Sequence, residues 1–418
     1  MAQPATPPAG AAPSGSFPNP LQNPALLANP YPFYALVRQA NPVLRAPIPA
    51  DTGAGVWLLT RYADVELALK DRRFSVDRTR ADVVRLFPDR LPRAFLGGPG
   101  GLRTLLVLDP PDHTRVRGLV SKAFTPRRVA ALGGAIRRLV DELLDEALAK
   151  GAFDVIHDLA EPLPAIVIAE LLGVPPSDHR QFRAWSSALI EALPQAVAGM
   201  GADVDAKAEP ILTYLRGAIA ERRAAPRDDL ISAMIEAQEE RDALTDQELL
   251  SLSFLLLLAG HETTTNLIGN GTLALLRNPE QLERLRAEPA LVPNAVEELL
   301  RYDSPVQATA RVVVEEIELG GQRLGPGALV VCGIGAANRD PAANPDPDRL
   351  DVAREEIRHL SFGLGAHFCL GAALARLEGE IALGALVARC PRLRLAAQDL
   401  AYRPNVVLRG LRSLPVAV

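Results

Sequence analysis

Cys369 stands in the run Phe362-Gly-Leu-Gly-Ala-His-Phe-Cys369-Leu-Gly371, where three glycines surround one thiol. Gly363, Gly365 and Gly371 permit tight turns and let the backbone approach a flat ligand closely. Leu370 to Ala388 reads as a helix, so the sulfur sits at or just before a helix N-terminus. Backbone N–H groups and the positive end of the helix dipole favour thiolate over thiol there. A thiolate is what a haem iron takes from cysteine. A lone cysteine without such neighbours is most often just a small buried residue.

A second stretch breaks a local rule. Thr245-x-x-Glu248 is a capping box, and apolar residues then run almost all round a helix from Leu249 to Leu276, which Asn278-Pro279 stops. A helix apolar on every face belongs in a core. Its middle nevertheless reads Ala259-Gly260-His261-Glu262-Thr263-Thr264. An acid and several hydroxyls inside such a helix cost energy without partners or water, so chemistry is expected there.

The elements that must position these residues are mostly helices. Arg127–Lys150, ending at Gly151, Leu163–Gly173 and Asp205–Arg223 carry apolar residues at helical spacing. Gly55–Thr60 reads as a strand before a helix at Ala63–Lys70. Arg311–Leu319 and Ala328–Ile334 read as the two arms of a hairpin. The expected fold is mainly α with minor β. Residues 1–20, rich in Pro, Ala, Gly and Ser, read as a disordered tail, and 21–418 as one folded unit.

Of the 418 residues, 48% are hydrophobic, ample for a buried core. The formal charge of −5 gives no bulk attraction to nucleic acid or anionic membrane. Three cysteines, Cys332, Cys369 and Cys390, fit a reducing cytosol better than a disulfide framework. The N-terminus has neither a basic start nor an apolar stretch, and the apolar run Phe254–Ala259 is far short of a bilayer span. The chain is therefore expected to be cytoplasmic and off the membrane.

Phe-Gly-x-Gly-x-His-x-Cys-x-Gly, continuing through Leu374-Ala375-Arg376 and Glu378, resembles the haem-binding signature of the cytochrome P-450 family, in its soluble bacterial form. The resemblance runs from about Asn29 to the C-terminus. Ala259-Gly260-x-Glu262-Thr263-Thr264 resembles the family's oxygen-activating helix, Glu298-x-x-Arg301 its Glu-x-x-Arg pair, and Ala337–Pro341 and Asp348-Arg349-Leu350 the stretch leading into the cysteine loop. Leu350 stands where the family usually has an aromatic residue.

The resemblance implies a triangular helical body with a long central helix and small β-sheets. It implies heme b held by Cys369, with Phe362, Gly371, Ala259 and Gly260 lining it and His113, Arg117, Arg311 and His367 meeting its carboxylates. It implies Thr263 and Glu262 as a proton-delivery pair, with Gly260 giving room and letting the helix open locally. A back-bond from Thr263 to a carbonyl one turn earlier is compatible with that role. Glu298 and Arg301 are expected to join Arg349 in a buried structural network. His157, His179, His261 and His359 read as surface residues or as supports for others, and Cys332 and Cys390 as packing residues.

The implied function is a monooxygenase that inserts one atom of O2 into a lipophilic molecule such as a terpenoid, fatty acid or polyketide. Substrate contacts are expected at Leu256, Ala259, Val306, Gln307 and Val407, and in the 80–103 and 183–201 segments. No tightly bound flavin or NAD(P)H is expected. Electrons would come from a ferredoxin- or flavodoxin-type donor with its reductase, docking near Arg115, Lys122, Arg127 and Arg128, on a monomeric enzyme. A peroxide-driven hydroxylase and a haem gas sensor or carrier are the rivals, and the intact Glu262–Thr263 pair disfavours both.

Overall fold

The helix Asp246–Arg277 organises the chain. Its first turn carries the expected capping box: the Thr245 hydroxyl accepts from Glu248 N–H at 3.2 Å, and the Glu248 carboxylate accepts from Thr245 N–H at 2.8 Å. Helices Pro162–Leu171, Val204–Ala224, Val292–Tyr302 and Ala372–Arg389 pack on it, and Gly133–Leu148 packs on the last of these. Its leucines enter two apolar cores. Leu267, Ile268 and Leu273 join one with Leu144, Leu299 and Leu383. Leu252, Phe254 and Leu258 join another with Phe182, Ile211 and Met234. Each fully buried leucine contributes about 2 kcal/mol, so the hydrophobic face decides where the helix lies.

The computed structural model describes residues 23–46, 55–86, 101–197, 203–238 and 244–418. The tail expected over residues 1–20 lies outside these. The main sheet has five strands in the order Val43–Ala46, Val56–Leu59, Leu329–Gly333, Ala308–Val313, Phe74–Ser75. Val56–Leu59 and Leu329–Gly333 run parallel, with Trp57 opposite Val330; the other pairs are antiparallel.

Three sequence expectations change. The run Arg311–Leu319 is not one strand. Its first part pairs with Leu329–Gly333, as expected of the hairpin arms. Ile317–Leu319 instead folds back on Gln322–Leu324 through Gly320 and Gly321, which have φ of 55° and 76°. The helix expected from Arg127 to Lys150 is two, Pro126–Ala131 and Gly133–Leu148, separated at Leu132 just before the Gly133-Gly134 pair. The third concerns Arg349. Its side chain is exposed and pairs with Asp351 at 3.5 Å. Arg354 takes its place, with Nε 3.1 and 3.2 Å from the two Glu298 oxygens.

Candidate active site

The cysteine loop is shaped by its own backbone. Gly363 and Gly365 have φ of 68° and 69°, a region that side chains disfavour. Gly363 N–H donates to Leu360 O at 2.8 Å, Phe368 N–H to Gly365 O at 3.1 Å, and Cys369 N–H to Phe362 O at 2.8 Å. A Cβ on Gly365 would lie 3.2 Å from Leu69 O. Gly371 needs no special dihedral and faces open space. Its N–H bonds the Cys369 sulfur, and the helix Ala372–Arg389 starts beside it.

Burial pushes the Cys369 thiol up; the Gly371 N–H, Arg117 and Arg376 oppose it without overcoming it. The Gly371 N–H at the helix start thus favours the thiolate, as expected of that position, while burial works against it. A coordinated metal ion deprotonates such a thiol outright.

Sequence reasoning missed what clamps this loop. Arg376 donates to both Glu297 oxygens at 2.6 and 2.9 Å, and His359 Nε2 lies 2.9 Å from the same carboxylate. Burial works against the charged Glu297, yet His359 and Arg376 hold it down to about 2. The Arg376 guanidinium lies 4.5 Å over the Phe362 ring, which meets Phe368 edge-on. The spacing of Arg376 from Cys369 was visible; its partner on another helix was not.

The four expected carboxylate-binding residues come together. The His113 and His367 rings lie tilted against each other, with centroids 3.9 Å apart. Burial, then His113, Arg311 and Arg117, lower His367 to about 3. Burial and Arg117 lower His113, against Asp109. Both rings are thus neutral N–H donors. Arg311 is 6% exposed, and its side chain donates to its neighbour's carbonyl, Ala310 O, at 2.9 Å. His113 Nε2 is buried with no partner. Arg117 is partly used, donating from Nη2 to Phe368 O at 2.8 Å, which ties it to the cysteine loop. Among the described residues, no carboxylate forms an ion pair with Arg117 or Arg311. Two arginines without a described carboxylate partner, beside a buried imidazole nitrogen left open, fit a group that brings its own carboxylates, as haem does.

The centre of Asp246–Arg277 explains its polar residues one by one. Ala259 is exposed in mid-helix and Thr263 half-buried, so this turn borders an accessible cleft. Thr263 Oγ1 donates to Ala259 O at 2.8 Å, the back-bond considered from sequence. Glu262 is 2% exposed and faces Arg403, whose Nη1 is 3.3 Å away. Burial raises the Glu262 carboxyl despite the facing Arg403. His261 is fully buried rather than at the surface, with Nδ1 3.1 Å from Ser186 Oγ; burial lowers it to about 4. A Cβ on Gly260 would lie 3.2 Å from Ile168. The room at Gly260 thus admits the neighbouring helix, and the helix is unbroken there, contrary to the expected local opening.

Leu256 is half-buried and packs in the same apolar cluster as Leu370 and Leu408. Val306 bridges to Leu408, and Val407 is 45% exposed beside it. Gln307 is turned away from the cleft. Its Nε2 donates to Ser304 O at 2.8 Å and Tyr31 Oη at 3.2 Å, and its Oε1 lies where a Cβ on Gly335 would be. That amide braces backbone, so the substrate contact expected of Gln307 is withdrawn. Residues 87–100 and 198–201 of the expected substrate segments lie outside the described residues, as does the Lys122 side chain. Arg115 pairs with Glu248 at the start of the long helix, while Arg127 and Arg128 are exposed.

Comparison with known proteins gives one family. The family model described as cytochrome P-450 matches residues 179–393. Over 394 residues the chain is 45% identical to cytochrome P-450 107B1 of Saccharopolyspora erythraea, covering 92% of this chain and 93% of the relative. It is 42% identical to 6-deoxyerythronolide B hydroxylase of the same organism, over 92% and 95% of the two chains. Among solved structures, cytochrome P-450 PksS of the Bacillus subtilis bacillaene polyketide synthase superposes with a TM-score of 0.85 at 39% identity, over 96% and 99%.

Proposed function

The chain belongs to the cytochrome P-450 family and is a haem-dependent monooxygenase, and from that premise we propose that Cys369 is its iron ligand and a polyketide-like lipophile its substrate. The observation that carries the ligand assignment is the half-buried Cys369 sulfur with the Gly371 N–H upon it, next to two arginines that no described carboxylate pairs and a partnerless His113 Nε2. Residues 21–418 act as one unit, and Phe362, Gly371 and Ala259 line the haem. Bound haem supplies the activation of dioxygen.

The protein's own residues do the rest. His113, Arg117, Arg311 and His367 fix the haem carboxylates. Burial keeps a proton on Glu262 to higher pH than usual. One residue on, Thr263 passes that proton into the cleft or holds water there, its hydroxyl oriented by Ala259 O. Leu256, Ala259, Val306 and Val407 present an apolar lining. The names of two relatives, one acting on 6-deoxyerythronolide B and one belonging to a polyketide synthase, support a macrolactone or polyketide substrate. No described helix is long and apolar enough to cross a membrane, and the reading is of a cytoplasmic monomer served by a ferredoxin-type donor and its reductase at the Arg127–Arg128 surface.

The test is turnover under oxygen-18-labelled dioxygen with a ferredoxin and its reductase, offering a panel of macrolactones and fatty acids. One labelled oxygen atom per hydroxylated macrolactone is expected. Binding confined to small hydrophilic anions would remove the substrate class. Thr263→Val keeps the β-branched shape but removes the hydroxyl. Proton transfer by a positioned group is worth about a hundredfold or more. Product per electron pair is therefore expected to fall at least about tenfold, with hydrogen peroxide released instead. Unchanged coupling would leave Thr263 as a packing residue.

A further inference from the structure

Arg78 opens the short turn Arg78–Arg80, three residues after Ser75. Ser75 pairs with Val312 in the main sheet, which sets the start of this turn beside Arg311. Arg78 Nε is buried without a hydrogen-bond partner. The acids that could neutralise it are engaged elsewhere. Asp77 accepts from Thr79 N–H at 3.1 Å and from the Thr79 hydroxyl at 2.6 Å, and it lies near Arg80 and Arg103. Asp109 accepts from the Ser75 hydroxyl and from Val76 N–H. Burial and the neighbouring Arg311 lower the guanidinium to about 10. That is still high enough to keep it charged at neutral pH, beside a second cation.

Two close buried guanidiniums repel unless an anion sits between them. The cradle already described holds Arg117 and Arg311 as its guanidiniums, with Asp109 close enough to act on Arg311 and His113. Haem brings two carboxylates. Arg78, its buried Nε open and Arg311 beside it, adds a third guanidinium for those two carboxylates.

We propose that Arg78 is a further haem-propionate ligand, sharing one carboxylate with Arg311. The assignment rests on the haem reading above. It adds a residue from the start of the chain, outside the motifs that suggested the other four.

The test measures haem transfer from the ferric holoenzyme to excess apomyoglobin, followed by the change in Soret absorption. Compared are wild type, Arg78→Gln, Arg78→Lys and Arg80→Gln, an exposed arginine two residues on. A hydrogen bond to a charged group is worth enough to change a rate about tenfold or more. Arg78→Gln is expected to lose haem at least about tenfold faster, Arg78→Lys to restore part of the retention, and Arg80→Gln to match wild type. The carbon monoxide spectrum and melting temperature of each variant separate a lost contact from a lost fold. Arg78→Gln holding haem as tightly as wild type overturns the proposal, as does a variant that only weakens binding of a carboxylated substrate. The haem reading itself fails separately, if the wild type shows no thiolate-type spectrum.

Discussion

Cys369→Ala is expected to abolish the strongly red-shifted Soret band of the reduced, carbon monoxide-bound protein and to bring monooxygenation to background. The band would report thiolate ligation of the iron, and no other described cysteine can supply that thiolate. Cys332 lies in the sheet and Cys390 ends the helix Ala372–Arg389, both fully buried in apolar clusters. The variant should still fold. The loop's hydrogen bonds use the backbone N–H of Cys369, not its sulfur, and the clamp runs through Phe362, Arg376 and Glu297. A near-wild-type melting temperature of the apoprotein with a lost band isolates ligation from folding. Survival of the red-shifted band in Cys369→Ala would put the ligand elsewhere and undo the reading of the whole site.

What the sequence made legible was local. The cysteine loop is a contiguous motif, so its glycines and the sulfur at the helix start could be read directly. The capping box and the greasy run of Asp246–Arg277 were equally contiguous, and the buried acid at its centre stood out as a violation. What stayed hidden was who meets whom across the fold. Glu262 finds Arg403 from 141 residues away, and the sequence marks neither as the other's partner. Gln307 sits beside a cleft-lining residue, yet alternation along the chain turns its amide into the backbone around Tyr31 and Ser304. Arg349 and Arg354 both follow the same proline-rich stretch. Only the folded contacts show which guanidinium points inward: Arg354 reaches Glu298, and Arg349 turns out to Asp351. Arg78 belongs to no motif and shows itself only as an unpaired cation.

The choice of Arg354 over Arg349 leads to the second large effect. Glu298 and Arg301 are wholly buried and share a bidentate pair at 2.6 and 2.8 Å. Glu298 also accepts from Arg354 Nε and from Asp351 N–H. Arg301 donates to Pro347 O at 2.7 Å, and Arg354 to Pro345 O at 2.7 Å and Arg349 O at 2.9 Å. One carboxylate thus holds two cations that together pin residues 345–351, the segment feeding the cysteine loop. Removing the acid leaves two guanidiniums facing each other in the core, and breaking such a buried pair costs about 3–5 kcal/mol. That is a large share of a total stability of about 5–15 kcal/mol. Glu298→Gln is therefore expected to lower the melting temperature by about 5 °C and to yield little haem-loaded protein. Arg349→Ala, which removes an exposed side chain while its carbonyl still accepts from both arginines, should stay within about 0.5 kcal/mol of wild type. Thermal melts of the two variants, with haem content measured on each, separate the alternatives. Equal destabilisation by both would mean that Arg349 shares the core after all, whereas a stable Glu298→Gln would mean that the backbone turn alone holds the segment and the ion pairs merely decorate it.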